Sequence, residues 1–279
     1  MCVNRMRPRV PERRGWQKYL HHFVPELVIV RMRGFPSHDS ITGGNMKSAL
    51  VIAALAVVGV ASAVQVVVPN GFENTAGPGQ FLMSSTATAG RTFQLIINQN
   101  QLTGLVNTNL NGLQVRQQES LTSNFAGTSF TFFDIFIGPG VDPAVRSTTF
   151  ASNFSGTPVQ VRSGAFTISP TDLPGGTNPN PWGTTITFGD YLYTGGHLTI
   201  EMRYSGSSST GPTVDAHTTT SAGYNVDFAS VWTGNSAGTA GSNGNFWNVQ
   251  LTGSAVPEPT TMAVLGLGLA ALARRRRRR

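Results

Sequence analysis

The chain has 279 residues, 20 Lys and Arg, 13 Asp and Glu, and a formal net charge of +7 at pH 7. Its middle, residues 64–255, carries five arginines, no lysine and nine acids, which gives a net charge of −4. Because nucleic-acid binding needs clustered cations, this composition argues against a nucleic-acid partner. The one cysteine, Cys2, lies outside this middle, which therefore has no disulfide, thiolate metal cluster or cysteine nucleophile.

Residues 46–63 have the three parts of a secretory signal peptide. Lys47 supplies a positive charge, residues 49–60 are apolar, and Ala61-Ser62-Ala63 matches an A-x-A cleavage site. We therefore expect export through the Sec translocon and cleavage by signal peptidase between Ala63 and Val64. Because such a signal acts at an N-terminus, we expect translation to begin at Met46 and residues 1–45 to be a disordered upstream extension.

Residues 64–255 predict one all-β domain with the architecture of an antiparallel β-sandwich. A jelly roll is one topology that fits this pattern. The clearest strand is 197–204, in which apolar and polar residues alternate from Leu198 between Gly-rich turns. Residues 130–137 are apolar on both faces and predict one central strand. The other predicted strands are 64–68, 92–98, 112–117, 158–162, 164–168, 184–188, 225–232 and 246–252. Long polar connections are predicted at 169–183, 205–223 and 233–245.

Residues 64–255 show no recognisable catalytic motif. They contain two histidines, His197 and His217, and no G-x-S-x-G element. Asp134 interrupts an apolar strand, so we expect a structural ion pair with Arg116 or Arg162. We expect a protein that is not an enzyme and has no metal site and no cofactor, with a secreted hydrolase as the weaker alternative.

Three aromatic residues offer a different hypothesis. Trp182, Tyr224 and Trp232 lie in or near predicted loops of low charge, and flat rings of this kind stack against sugars. A carbohydrate-binding, lectin-like module is therefore an alternative function. Packing in the core is the other interpretation of the same rings.

The C-terminal residues, VPEPTTMAVLGLGLAALARRRRRR, have three parts in order. Pro257, Glu258 and Pro259 form a stiff extended element, and an apolar segment predicted as a short hydrophobic helix runs from Thr261 to Ala273. As a helix, these 13 residues extend about 20 Å, against about 30 Å for a bilayer core. The chain ends with a cationic stop-transfer cluster of Arg274, Arg275, Arg276, Arg277, Arg278 and Arg279.

This three-part tail resembles the PEP-CTERM sorting tail of bacterial surface and exported proteins. The resemblance implies recognition by an exosortase, a membrane-embedded cysteine protease and transpeptidase that cuts near the Pro-Glu-Pro element. It also implies transient attachment to the inner membrane, followed by residence on the cell envelope or in the extracellular matrix. We therefore expect a structural or adhesive protein whose matrix partners include extracellular polysaccharide.

Overall fold

The structure is a computed structural model, and it describes residues 63–83, 90–205 and 207–256. These residues form strands and four short 3₁₀ helices, and none of the helices among them is long and apolar enough to cross a membrane. The strands are β1 (Ala63–Val68), β2 (Gly79–Leu82), β3 (Arg91–Ile97), β4 (Thr108–Val115), β5 (Thr128–Phe130), β6 (Phe133–Pro139), β7 (Val159–Arg162), β8 (Phe166–Ile168), β9 (Ile186–Tyr193), β10 (Leu198–Tyr204), β11 (Thr213–His217), β12 (Phe228–Thr233), β13 (Ser242–Asn243), β14 (Phe246–Trp247) and β15 (Val249–Ala255). The 3₁₀ helices are Gln99–Gln101, Thr103–Leu105, Pro143–Val145 and Phe150–Asn153.

The strands form antiparallel sheets that pack as a β-sandwich. A four-stranded sheet has the order β1-β15-β4-β9, and a six-stranded sheet has the order β13-β12-β3-β10-β6-β7. Two smaller sheets have the orders β14-β11-β2 and β5-β8. The predicted all-β, antiparallel class is therefore confirmed.

Alternation along β10 shows why these residues form strands. Leu198, Ile200, Met202 and Tyr204 are fully buried on one face of the six-stranded sheet. Their ladder partners on β3 and β6 include Ile97, Leu95, Ile137 and Ile135. The period of two places these apolar side chains on the same side of three neighbouring strands, so the sheet presents one apolar face to the core.

Aromatic rings join the sheets across this core. Trp247 of β14 stacks on Phe93 of β3, with ring centroids 4.3 Å apart. Within the six-stranded sheet, Phe133 and its ladder partner Tyr204 stack in the same way at 5.2 Å. Such ring pairs contribute about 0.5–1.5 kcal/mol beyond the apolar area they bury, so the pair of Trp247 and Phe93 helps to fix how two sheets lie on one another.

Several details of the sequence prediction were wrong, among them the run 246–252, which is divided between β14 and β15. The run 130–137 is divided between two strands: β5 ends at Phe130 and pairs with β8, and β6 begins at Phe133. The predicted polar connection 205–223 contains β11, and 233–245 contains β13. The strand β2 was not predicted at all. The predicted signal helix, the apolar helix of the tail and the extension 1–45 lie outside the described residues.

Candidate functional site

The two ends of the domain lie side by side in the four-stranded sheet. Ala63, the first residue of β1, is the ladder partner of Ser254 in β15. Ala255, the last residue of β15, lies opposite Thr108 of β4, which in turn lies opposite Tyr193 of β9. Because β1 and β15 are antiparallel, the start of the first strand and the end of the last strand share one end of one sheet.

This end combines an accessible chain with a firmly packed strand. Ala63 and Ala255 are exposed, and Val256 is 39% exposed. Farther along β15, Val249 and Leu251 are fully buried between β1 and β4. The segments before and after the domain therefore leave from accessible positions, while the strand that carries the C-terminal segment is held on both sides by ladder hydrogen bonds.

The residues predicted for signal cleavage fall at this same place. Ala63 opens β1, and Val64 is half-buried in the ladder opposite Gly253. Ala61 lies outside the described residues, as do Pro257, Glu258, Pro259, the apolar segment Thr261 to Ala273 and the arginines 274–279. The structure thus shows where the predicted junctions meet the domain.

Each arginine among the described residues stacks on an aromatic ring. The guanidinium carbons lie 4.6–5.5 Å from ring centroids in the pairs Arg91 with Trp232, Arg116 with Trp182, Arg146 with Tyr224, Arg162 with Phe166 and Arg203 with Phe136. Such cation–π contacts contribute about 0.5–2 kcal/mol each. The cations of this domain are therefore used within the fold, whereas the acids Glu73, Glu119 and Asp190 are exposed.

One of these arginines forms a buried ion pair. Arg116 Nε donates to Asp215 Oδ2 at 2.8 Å, and each side chain is 1% exposed. Asp215 also accepts hydrogen bonds from the side chain of Asn248 and the backbone of Gly77, at 2.8 and 2.9 Å. Burial raises the pKa of Asp215, although these three donors act in the opposite direction.

His217 lies close to this pair and is 2% exposed. Its ring contacts Phe72 and Phe228 edge-on, at centroid distances of 4.2 and 5.2 Å. Neither of its ring nitrogens makes a hydrogen bond of ordinary geometry within the described residues. Burial lowers the pKa of His217 to about 4; the neighbouring side chain of Asn248 opposes this shift, and the charge of Arg116 adds to it. His217 is therefore a neutral core residue at pH 7.

The three rings predicted for glycan stacking are engaged within the fold. Tyr224 is 7% exposed, and its hydroxyl donates to the carbonyl of Gly244 at 2.8 Å. Trp232 is half-buried and contacts Phe81 edge-on. Trp182 is half-buried over Arg116. Each of the three rings contacts a different arginine.

The expected ion pair between Asp134 and Arg116 was wrong, since Arg116 is bound to Asp215. Asp134 instead accepts a hydrogen bond from the backbone of Gly164 at 3.1 Å. Arg162 donates to three backbone carbonyls, and burial lowers its pKa while the charge of Asp134 raises it. Asp134 therefore acts on Arg162 through its charge, without a direct ion pair between them in this part of the chain.

The remaining titratable residues do not assemble a metal site. Within residues 63–83, 90–205 and 207–256, no group of three His, Cys, Asp or Glu could hold a metal ion. His197 accepts a hydrogen bond from the backbone of Gln99 at 3.3 Å, and its other nitrogen lies 3.8 Å from Asp142. His197 therefore serves to link two neighbouring loops.

Comparison with known proteins identifies the C-terminal tail. Residues 255–278 match the PEP-CTERM protein-sorting motif. No curated protein and no solved structure matches the chain. The resemblance predicted from the sequence is confirmed, and Ala255 and Val256, the last two described residues, are the first two of the motif. The motif supports exosortase-dependent sorting of an exported protein that is processed at the cell envelope.

Proposed function

We propose that this protein is a structural or adhesive component of the bacterial cell surface or extracellular matrix, and that it is not an enzyme. It is exported through the Sec translocon, released from its signal peptide by signal peptidase, and held transiently at the inner membrane by its tail. Exosortase then cuts near Pro257, Glu258 and Pro259 and delivers the β-sandwich to its final site.

The observation that carries the sorting part of this proposal is the match of residues 255–278 to the PEP-CTERM motif, which begins where β15 ends. A C-terminal sorting tail can be cut from a folded domain only if its junction remains accessible to a membrane enzyme. The β1–β15 ladder ends at Ala63 and Ser254, and Ala255, which is still paired with Thr108 of β4, is exposed. A protease needs an extended, accessible backbone, and the chain offers one where β15 stops.

The charges of the domain support a partner other than an anionic polymer. The arginines are stacked on rings, and three acids are exposed, so the surface is acidic. A polyanion would meet a net negative charge, because the five arginines of residues 64–255 are outnumbered by nine acids. If the matrix partner is an extracellular polysaccharide, we therefore propose a neutral one.

The experiment compares where two variants accumulate in cells that contain the exosortase. A triple variant, Pro257→Ala, Glu258→Ala and Pro259→Ala, removes the recognition element, and Glu119→Ala removes an exposed charge of the body as the matched control. We expect the triple variant to accumulate in the membrane fraction with its tail intact. The wild type and Glu119→Ala should reach the surface or matrix without the tail. Equal distribution of all three would contradict the proposal.

A further inference from the structure

We propose that an open groove beside the edge of β1 is a binding site for a neutral, hydroxyl-rich sugar chain. We call it the β1 groove. Its volume is about 310 Å³, and its polar lining residues are Gln65, Asn70, Glu73, Gln101, Thr103 and Gln250. Small-molecule sites occupy about 300–1,000 Å³, so the groove is large enough to hold a ligand. The inference rests on the proposed function and deepens it, because it supplies a site for the neutral polysaccharide partner.

The edge of β1 forms one wall of the groove. In the described part of the chain, only β15 pairs with β1, which is the outermost strand of the four-stranded sheet. Gln65 lies opposite Thr252 and Val67 lies opposite Gln250, without a register shift. Gln65 and Gln250 are therefore diagonal neighbours on one face of the sheet, and the fully buried Leu251 points to the other face. Two amide side chains thus lie close together beside the strand edge.

The two 3₁₀ helices of residues 99–105 form the second wall. Leu102 and Leu105 are fully buried and fix this segment to the core. Gly104 between them packs against β1, since a Cβ placed on this glycine would lie 3.1 Å from a methyl group of Val66. The two walls are therefore in contact, and packing of the core sets the shape of the groove.

The turn that follows β1 closes one end of the groove. The backbone of Asn70 donates to the side-chain oxygen of Gln101 at 2.7 Å, which ties the turn to the second wall. The carbonyl of Glu73 accepts a hydrogen bond from the buried Arg116 at 3.2 Å, and its carboxylate accepts one from the backbone of Gly71 at 3.4 Å. The exposed carboxylate of Glu73 is thus held on a fixed backbone.

The fold leaves much of the hydrogen-bonding capacity of the groove unused. Within the described residues, no hydrogen bond engages the side chains of Gln65, Thr103 and Gln250 or the side-chain nitrogen of Gln101. Amide and hydroxyl side chains offer both donors and acceptors, and the carboxylate of Glu73 is a strong acceptor. Sugar hydroxyls also donate and accept, so a chain of neutral sugars matches this set of groups.

The lining of the groove also selects among extended ligands. Glu73 is its one charged side chain in the described part of the protein, and this carboxylate would repel a uronate. Most glycosidases use a pair of carboxylates, so a single one fits binding without hydrolysis. An added peptide strand would need pockets for alternate side chains, whereas six of the nine lining residues have polar side chains. A neutral sugar chain therefore fits the groove better than an acidic sugar chain or a peptide.

The test measures binding of the full chain in detergent to immobilised oligosaccharides. The protein comes from cells without exosortase, so binding is measured independently of sorting. The array carries neutral glucans, mannans, galactans and xylans beside chains that contain uronates. Gln65→Ala and Glu73→Gln alter the groove. Gln160→Ala is the matched control, because Gln160 is an exposed glutamine on the edge strand β7, which packs beside β9 at the opposite edge of the four-stranded sheet from β1.

We expect the wild type and Gln160→Ala to bind the same neutral glycan. Each groove variant should bind it about 5- to 10-fold more weakly, the loss expected for one hydrogen bond, with an unchanged thermal unfolding midpoint. Glu73→Gln should also narrow the preference for neutral over uronate-containing chains, because it removes the repelling charge.

Three results would overturn the sugar site and leave the sorting proposal intact. The first is that no neutral glycan is bound, and the second is that all four proteins bind glycans equally. The third is binding of an immobilised peptide with the sequence of β1, AVQVVV, in place of any glycan, which would assign this edge to strand addition. Failure of the sorting proposal is seen separately, in the fractionation of the Pro257, Glu258 and Pro259 variant.

Discussion

Arg116 and Asp215 are 99 residues apart in sequence and form an ion pair whose side chains are each 1% exposed. Arg116 also donates to the carbonyl of Thr75 at 2.5 Å, and Asp215 accepts from the backbone of Gly77. The pair therefore joins the end of β4, the strand β11 and the segment that follows β1. It ties the N-terminal part of the chain to the centre of the domain.

Replacing Arg116 with Met should lower the free energy of unfolding by about 3–5 kcal/mol, because it leaves the carboxylate of Asp215 buried without its cation. Urea unfolding at pH 7 measures this loss. Arg146→Met is the matched control: Arg146 also stacks on a ring, but its polar partners are the neutral side chains of Asn225 and Asn243. The control variant should lose less of its free energy of unfolding. Equal losses in the two variants would contradict a special role for the buried pair.

The stability of the domain should fall in mild acid because of His217. Its pKa is lowered to about 4 in the folded state, against 6.5 for the ordinary side chain. A depressed folded-state pKa means that the stabilisation is complete above pH 6.5 and is lost as the pH falls from 6.5 to 4. The shift corresponds to a loss of about 3 kcal/mol across this window.

Urea midpoints at pH 7, 5.5 and 4 measure this loss. His217→Gln should flatten the pH dependence between 6.5 and 4, whatever its effect on stability at pH 7. His197→Gln, which alters the half-buried histidine between Gln99 and Asp142, should keep the steep dependence. If the wild type and His217→Gln show the same slope, protonation of His217 is not the cause.

Trypsin should cut the folded domain slowly because it cleaves after Lys and Arg. Residues 64–255 contain no lysine, and the side chains of Arg91 and Arg116 are buried. Arg146, Arg162 and Arg203 are half-buried and stacked on rings. Cleavage through global opening should slow digestion by on the order of 1,000-fold relative to the unfolded chain. Gel electrophoresis over time, with and without urea, measures the ratio, and rapid native cleavage after Arg146 or Arg162 would contradict it.

Replacing Trp182 with Ala distinguishes a structural ring from a sugar-binding ring. The ring covers Arg116, so its loss should cost about 1–3 kcal/mol through lost burial and a lost cation–π contact. We expect glycan-array binding of this variant to match that of the wild type. Loss of a specific glycan signal at unchanged stability would favour the carbohydrate-binding alternative.

Local alternation was enough to predict much of the fold. The strand β10, Leu198–Tyr204, lies within one residue of the predicted 197–204, because four apolar residues alternate with polar ones between two Gly-rich turns. The strand β11 was missed because its sequence, TVDAH, places an acid and a histidine where an apolar pattern is expected. Those two residues are buried by contacts with Arg116 and with aromatic rings from distant segments, and the strand itself carries no sign of these contacts.

In the candidate site, too, local patterns were predictable from the sequence and long-range contacts were not. The three-part tail is a contiguous pattern, so its sequence was sufficient to identify it. The pairing of Ala63 with Ser254 joins residues at opposite ends of the domain, and no local periodicity encodes such a register. The sequence likewise predicted an arginine partner for Asp134 but left Arg116 and Arg162 open, and only Arg162 is near enough to be affected by its charge. Ion-pair geometry depends on how the sheets pack, which local sequence does not encode.

Mass spectrometry of the two ends of the native protein, isolated from the cell surface or matrix, tests the central claim most directly. The account predicts an N-terminus at Val64, at the start of β1, and a C-terminus near Pro259, just beyond β15. Recovery of peptides from before Met46, or of a surface form that still ends at Arg279, would contradict it.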